Sequence, residues 1–210
     1  ENFMNLGDNF VQEGLANRIT PFLTNQPGAK NFDTEKTYRN VMYRYKYGGL
    51  EKPGLYIDET VLRMCYTHRH IFSQLALHLI EEGQKAKALK VLQKAEKVLP
   101  TYNVPMNYMS GGAEIARAYA LLGQKAKAMQ TINAVWKDAY QYAVYYLGLN
   151  DNWFTMSQRD IMIQLSILTQ INDITQLVDK QLYAKRRTMI DRLYSTYIGK
   201  GGQPIGDDGQ

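Results

Sequence analysis

The segments GQKAKALK at residues 83–90 and GQKAKAMQ at residues 123–130 are near-copies of each other, 40 residues apart. Self-similarity at a period of about 20 to 50 residues is typical of stacked supersecondary units. Each copy begins with a glycine, Gly83 or Gly123, that separates one helical pattern from the next. No convincing alternating strand pattern occurs along the chain. The sequence therefore predicts an all-α fold with a helix–turn–helix unit at each copy.

Apolar side chains recur at helical spacing on both sides of each glycine. Around Gly83 they are Phe72, Leu75, Ala76 and Leu79, followed by Ala88, Leu92, Ala95 and Leu99. Around Gly123 they are Ile115, Ala116 and Tyr119, followed by Ala128, Ile132 and Val135. The small residues stand where two helices must approach closely, and Pro100 ends the second helix of the first pair.

The order of small residue, turn glycine, alanine, bulky apolar residue and small residue resembles the tetratricopeptide repeat. The resemblance implies two helix pairs of an α-α superhelix, with flanking helices. That repeat is about 34 residues long. The two copies here are 40 residues apart, and the additional residues are expected to lie in the connection over residues 101–111. The predicted segments are an N-terminal flank with short helices (1–57), the two helix pairs (58–148), a C-terminal helical pair (149–198) and a flexible tail (199–210).

Polar residues mark the starts of the helices before and within the first pair. Asp58 is placed to cap a long helix that runs towards Glu82, and Asp33 or Thr34 starts a shorter helix over residues 35–46. The long helix is predicted to bury four residues: Val61, Cys65, Phe72 and Leu79.

Two further helices are predicted after the second pair. Thr155 or Ser157 caps the first of them, and the second ends at Gly199. The first is predicted to carry the apolar residues Ile161, Leu165, Leu168 and Ile171. The second is predicted to carry Leu182, Met189, Leu193 and Tyr197.

The composition is that of an ordinary globular protein, with 45% hydrophobic and 21% charged residues. No apolar run reaches the roughly 18 to 20 residues of a membrane span. The net charge of +5 is spread along the chain and the densest basic group, residues 185–187, is short, so nucleic-acid binding is not predicted. A single cysteine excludes an internal disulfide framework.

The chain starts at Glu1 without an initiator methionine, so we expect a piece of a longer protein or a processed chain.

The residue types that carry catalysis form no recognisable constellation. His68 and His70 are two residues apart and point in different directions on a helix, so they do not chelate one metal. Cys65 lies on an apolar stripe; it is either an inert buried thiol or, less favoured, the partner of His68 in a catalytic pair. No glycine-rich phosphate loop is present. We therefore predict no catalytic residue, no metal and no cofactor in this segment.

A group of lysines and a group of tyrosines are interpreted as surface or packing features. Lys90, Lys94 and Lys97 lie opposite an apolar stripe and are interpreted as a solvated helix face. Four of the 16 tyrosines are crowded together: Tyr140, Tyr142, Tyr145 and Tyr146. Such rings either pack between helices, which is the favoured interpretation, or stack on sugars or peptides.

The first helix of each tetratricopeptide-like pair is expected to line a concave groove. Aligned on the turn glycines, the candidate binding residues are His70, Ser73 and Leu77 in the first pair, and Arg117 and Ala120 in the second. Such grooves take an extended peptide or another domain, with basic residues binding carboxylates. The alternative is a groove covered by the flanking helices.

Three segments carry a second resemblance: EGLANRITP at residues 13–21, YKYGGLEKPGLYIDETVLRMCYTHR at residues 45–69 and LPTYNVP at residues 99–105. They are similar to the C-terminal region of a bacterial family of multi-spanning membrane proteins, whose N-terminal domain of unknown function resembles protein O-mannosyltransferases. The resemblance implies a glycosyltransferase-like parent that uses a lipid-linked sugar donor. It places the catalytic residues in the membrane domain and this segment on the extracytoplasmic, periplasmic side, joined to the membrane only through that domain.

Three functions follow as hypotheses. The first is an accessory domain, not itself an enzyme, that binds or positions a protein partner. The second is a stand-alone helical carbohydrate-binding lipoprotein of the cell envelope, for which a glycan is the ligand. The third, least favoured, is a soluble enzyme. The sequence identifies neither the ligand nor the oligomeric state.

Overall fold

The computed structural model of the chain describes residues 7–24 and 31–203. The chain forms two compact units, residues 1–105 and residues 106–210. Each GQKAKA segment lies in a different unit. Helices dominate both units, which confirms the all-α fold class.

Unit 1 contains a small antiparallel β-hairpin that the sequence did not predict. A 3-10 turn at Gly7–Asn9 leads into β1 (Phe10–Gln12), which pairs with β2 (Asn17–Ile19). Strands of three residues are too short to show the alternation from which strands are recognised. The prediction that the chain contains no strands is therefore wrong at this hairpin.

The first helix of unit 1 starts where the sequence predicts. The Asp33 side chain accepts a hydrogen bond of 2.9 Å from the Lys36 amide at the start of α1 (Thr34–Arg39). The helix continues as a π-helical segment over Asn40–Arg44, so it ends near the predicted residue 46 with a wider final turn.

The helix pair of unit 1 consists of α2 (Glu59–Glu81) and α3 (Lys85–Val98). Asp58 caps α2 as predicted, because its side chain accepts hydrogen bonds from the Thr60 and Val61 amides. Three of the four predicted core residues are buried, namely Cys65, Phe72 and Leu79. Val61, in the first turn of α2, is 42% exposed, and that prediction is wrong.

The first GQKAKA segment forms the turn between α2 and α3. Gly83 has φ +77°, a left-handed conformation that glycine adopts without a Cβ penalty. Its amide donates to the Ile80 carbonyl at 3.0 Å, and the Gln84 amide donates to the Leu79 carbonyl at 2.7 Å. This pair of bonds is a Schellman motif, which satisfies carbonyls at the end of α2.

The second GQKAKA segment forms the same turn in unit 2, between α4 (Gly112–Leu121) and α5 (Lys125–Leu147). Gly123 has φ +73° and donates to the Ala120 carbonyl at 3.0 Å. The Gln124 amide donates to the Tyr119 carbonyl at 2.9 Å. The repeated sequence therefore encodes a repeated backbone geometry.

The apolar stripes that follow the two turns are buried. In α3 the side chains of Ala88, Leu92 and Ala95 are at most 4% exposed. In α5 Ala128, Ile132 and Val135 are fully buried. Small residues at these positions let the paired helices approach closely, as predicted.

Unit 2 continues with α6 (Asp151–Met156), α7 (Gln158–Gln176) and α8 (Lys180–Gly199). Helix α5 packs on both α4 and α7, and α7 packs on α8. The four residues predicted to face inwards from α7, Ile161, Leu165, Leu168 and Ile171, are all buried. Ser157 occupies the N-cap position of α7 without a side-chain capping bond, and the Thr155 hydroxyl donates to the Asp151 carbonyl within α6.

Helix α8 buries only part of the predicted stripe. Tyr197 is buried as predicted, whereas Leu182, Met189 and Leu193 are only half-buried. Arg186 and Ile190, which were not predicted, are buried as well. The buried residues include Arg186, which a search for apolar residues does not identify. The helix ends at Gly199 as predicted, although the left-handed glycine is Gly201, with φ +86°.

The predicted tail, 199–210, lies outside the described residues from residue 204 onwards. Within residues 7–24 and 31–203, none of the helices is both long and apolar enough to span a bilayer.

Candidate functional site

The three candidate binding residues of the first pair lie on α2 in unit 1. His70 and Leu77 are half-buried. Ser73 is fully buried, and its hydroxyl donates to the His70 carbonyl at 2.8 Å. Of these three side chains, His70 and Leu77 retain solvent exposure.

Leu77 lines a cavity of about 290 Å³ in unit 1. The opposite wall comes from the N-terminal flank, where the Phe32 ring stacks on the His78 imidazole at a centroid distance of 4.3 Å. The flank therefore covers part of the face of α2 that carries Leu77, but the covering residues belong to β1 and to the segment before α1, not to flanking helices.

The two candidate residues of the second pair lie on α4 in unit 2. Arg117 is exposed and Ala120 is half-buried. An exposed guanidinium can bind a carboxylate of a partner, because its planar donors match the two carboxylate oxygens.

Arg69 is a buried cation whose role the sequence did not reveal. Its side chain is 1% exposed. The guanidinium donates to the carbonyls of Leu99, Val104 and Pro105 at 2.9, 2.6 and 2.8 Å. Burial lowers the pKa of Arg69 to about 10, which leaves it charged at neutral pH. Arg69 thus fixes the loop after α3 to the middle of α2.

The same loop is bonded to the glycine-rich turn before α2. The Asn103 amide donates to the Leu50 and Lys52 carbonyls at 2.7 and 2.6 Å. The Tyr102 hydroxyl donates to the Glu51 carbonyl at 2.5 Å. Residues 45–69 and 99–105, which carry the second resemblance, are therefore in direct contact.

The third resembling segment, residues 13–21, joins this assembly through Tyr45. The Tyr45 hydroxyl accepts a hydrogen bond of 2.9 Å from the Leu15 amide. A Cβ on Gly14, at φ +97°, would clash with that same hydroxyl. All three resembling segments therefore converge in unit 1.

The surroundings of Cys65 and His68 do not favour a catalytic pair. Cys65 is 2% exposed, and burial raises the pKa of its thiol. Burial also lowers the pKa of His68, whose ring lies edge-on to Tyr45 and Tyr47 at centroid distances of 6.3 and 5.6 Å. A buried thiol that remains protonated is not an activated nucleophile.

We expect Cys65 to react slowly with iodoacetamide in the native chain and rapidly in guanidinium chloride. The native thiol is both buried and protonated, whereas the reagent needs an accessible thiolate. Labelling at mildly alkaline pH, followed by mass spectrometry over time, measures both rates. Rapid native labelling that persists in mildly acidic buffer would instead indicate an activated cysteine.

The basic run at residues 185–187 divides between the interior and the surface. Arg186 is 6% exposed, and its guanidinium lies 4.4 Å from the centroid of the Trp136 ring. It donates to the Asn133 and Thr175 side-chain oxygens at 2.7 and 3.2 Å. Burial lowers the pKa of Arg186 to about 10. Arg186 therefore joins α8 to α5 and α7.

Lys94 departs from its predicted role as a solvated side chain. Its ammonium group donates to the Met42 carbonyl at 2.5 Å and lies 5.6 Å from the centroid of the Tyr47 ring. Lys90 and Lys97 are exposed, in agreement with the prediction. The difference arises because the chain before α2 folds over one side of α3.

The tyrosine group at the end of α5 is only partly packed. Tyr142 and Tyr145 are 48% and 62% exposed, and both rings contact the half-buried Tyr146 at 6.2 and 5.3 Å. Packing was the favoured interpretation, and it is wrong for these two residues. Helix α5 has 23 residues where α3 has 14, and the additional turns carry the tyrosines.

The next helix adds two more exposed residues. Trp153 and Met156 of α6 are 60% and 77% exposed. Tyr146 and Phe154 belong to one hydrophobic cluster, so α6 is held against the end of α5. We call the four exposed side chains the aromatic surface: Tyr142, Tyr145, Trp153 and Met156.

A groove of about 520 Å³ lies between α7 and α8. Leu165 and Ile190 are the buried residues of its lining. Tyr108, from the 3-10 turn Tyr108–Ser110, also lines it. Its polar residues come from both helices: Ser166, Thr169, Gln170, Asp173, Arg187 and Asp191. We call this feature the α7–α8 groove.

Across residues 7–24 and 31–203, no group of three or more His, Cys, Asp or Glu side chains is arranged to hold a metal ion. The features that stand out in this part of the chain are the aromatic surface and the α7–α8 groove.

Comparison with known proteins gives no relative from which a function could be transferred. No family model matches the chain, and neither a curated protein nor a solved structure shows significant similarity to it.

Proposed function

We propose that this chain is a non-catalytic helical domain that binds a protein partner, and that its two helix pairs are tetratricopeptide-like. The observation that carries the proposal is the aromatic surface. Tyrosine, tryptophan and methionine are enriched in protein interfaces, where large rigid side chains fill pockets of a partner. Four such side chains are between 48% and 77% exposed, which supports an interaction site formed by the end of α5 and by α6.

The support beneath this surface is well packed and hydrogen-bonded. Tyr146 and Phe154 anchor α5 and α6 in the cluster that also contains Leu147, Ile161 and Tyr197. The Lys200 ammonium group donates to the Leu147 and Leu149 carbonyls at 2.9 and 2.7 Å, which secures the connection between α5 and α6. A preorganised surface binds with a smaller entropic cost than a flexible one.

We further propose that the domain is the accessory, extracytoplasmic region of a membrane glycosyltransferase-like protein. The support is the resemblance of residues 13–21, 45–69 and 99–105, together with their convergence in unit 1 through the hydrogen bonds of Arg69, Asn103 and Tyr45. Segments that pack against one another are expected to be inherited together. In this role the domain positions an acceptor protein while the chemistry takes place elsewhere.

A site-specific photo-crosslinker tests the protein-binding proposal. Tyr145→p-benzoylphenylalanine is compared with the same replacement of Tyr102, because the two rings are 62% and 64% exposed. Irradiation in the cells that produce the chain is expected to give a discrete protein adduct from position 145 and none from position 102. Identical adduct patterns from both positions, or no protein adduct from position 145, would refute the proposal.

The captured protein then permits a quantitative test. Tyr145→Ala is expected to weaken its binding by about tenfold or more, as truncation of an interface anchor typically does. Arg117→Glu is expected to weaken binding as well if α4 contributes to the contact, while circular dichroism shows unchanged helicity. Wild-type affinity in both variants would mean that the partner binds another face. Turnover of a sugar donor by the isolated chain would refute the non-catalytic assignment.

A further inference from the structure

The α7–α8 groove has a chemistry different from that of the aromatic surface. We propose that this groove binds a neutral saccharide of about two sugar rings. The inference goes beyond protein binding and does not depend on it, because the groove and the aromatic surface use different residues.

The size of the groove suits a small ligand. Its volume of about 520 Å³ falls within the range of about 300 to 1,000 Å³ that is typical of ligand pockets. The buried side chains of Leu165 and Ile190 line it and give it an apolar floor. The carbon–hydrogen face of a sugar ring can rest on such a floor.

Two tyrosines lie in the lining of the groove. Tyr108 precedes α4, Tyr194 belongs to α8, and both are half-buried. The Tyr194 ring is held by Tyr197, at a centroid distance of 6.3 Å. A tyrosine offers an apolar ring face together with a hydroxyl that both donates and accepts, which matches the alternating surface of a sugar.

The polar side chains of the walls are mostly planar and two-pronged. Helix α7 provides Gln170 and Asp173, and α8 provides Arg187 and Asp191. Amide, carboxylate and guanidinium groups each present two donor or acceptor atoms in one plane, so each can bond two adjacent hydroxyls at once. Vicinal hydroxyls are the defining polar feature of a sugar ring.

The charge in the groove disfavours an anionic ligand. Arg187 and Asp191 neutralise each other through an ion pair of 3.2 Å between Nε and Oδ1. Asp173 adds a further carboxylate, which disfavours an anionic ligand.

Titration of the isotope-labelled chain by nuclear magnetic resonance tests the proposal. The probes are maltose, cellobiose, α-1,2-mannobiose and N,N′-diacetylchitobiose, with tetra-alanine as the peptide control. At least one disaccharide is expected to cause saturable shifts of the amides of Gln170, Asp173 and Asp191, while tetra-alanine causes none. Saturable shifts from tetra-alanine at the same amides would identify a peptide groove and overturn the proposal.

Matched variants on α7 identify the residues responsible. Gln170→Ala and Asp173→Asn are expected to raise the dissociation constant of the bound disaccharide about tenfold each, since each removes charge-assisted or paired hydrogen bonds. Gln176→Ala and Asp160→Asn are the controls, because both residues are exposed on the same helix outside the groove. The controls are expected to bind as the wild type does.

Three further results would overturn the inference. They are the absence of saturable shifts with all four disaccharides, shifts confined to residues outside α7 and α8, and equal affinity in the groove and control variants. None of them bears on the photo-crosslink from position 145, so failure of this inference is distinguishable from failure of the protein-binding proposal.

Discussion

Arg69→Ala is expected to lower the free energy of unfolding by about 2–4 kcal/mol. The substitution removes the donors to three carbonyls, those of Leu99, Val104 and Pro105, and leaves a cavity at a position that is 1% exposed. Buried carbonyls that lose their partners carry an unrecovered desolvation cost. Urea unfolding monitored by circular dichroism measures this change in the free energy of unfolding. The relevant transition is the one in which unit 1 unfolds.

Two further variants separate the causes. Arg69→Met keeps most of the side-chain volume and removes only the donors. Its free energy of unfolding is therefore expected to fall by most of the amount that Arg69→Ala loses. Arg63→Ala is the control on the same helix, because its side chain is 74% exposed and pairs with Glu59 at the surface. Its cost is expected to be at most about 1 kcal/mol. An Arg69→Met variant as stable as the wild type would show that the three hydrogen bonds do not hold the loop.

Tryptophan at either alanine seam is expected to destabilise the chain by about 1–3 kcal/mol or more. Ala88 and Ala128 are fully buried at equivalent places after the two turns, where α3 packs on α2 and α5 packs on α4. An indole does not fit in space that a methyl group fills, so the helices must separate or the ring must leave its preferred rotamer.

The repeat itself supplies the controls for this experiment. Ala86 and Ala126 stand two residues earlier in each GQKAKA segment and are exposed. Ala86→Trp and Ala126→Trp are expected to change the melting temperature little, because a surface position imposes no packing limit. A loss of stability in the controls equal to that in Ala88→Trp and Ala128→Trp would contradict the packing of the two hairpins described here.

Local signals predicted the features that depend on local sequence. Gly83 and Gly123 end helices because a left-handed residue is needed there, and Asp33 and Asp58 cap helices through bonds to amides two or three residues away. The short strands of the N-terminal hairpin escaped prediction because Phe10–Gln12 and Asn17–Ile19 are too brief to show a period.

The candidate sites depended on contacts that no local pattern encodes. Arg69 and Arg186 look like surface cations in the sequence, and only the chain segments folded over them make them interior groups. The exposure of Tyr145 follows from the extra length of α5, which carries its last turns past the stripe that packs in the shorter α3. Composition alone could not distinguish an exposed tyrosine from a packed one.

The claim on which the fold and the proposed binding role both depend is that the two GQKAKA segments are equivalent turns between packed helices. Backbone chemical shifts and amide–Hα couplings measure this directly. They are expected to show helices over residues 85–98 and 125–147 and positive φ angles at Gly83 and Gly123. Helical shifts that continue without interruption through residues 79–90 or 119–130, or a negative φ at either glycine, would contradict the account.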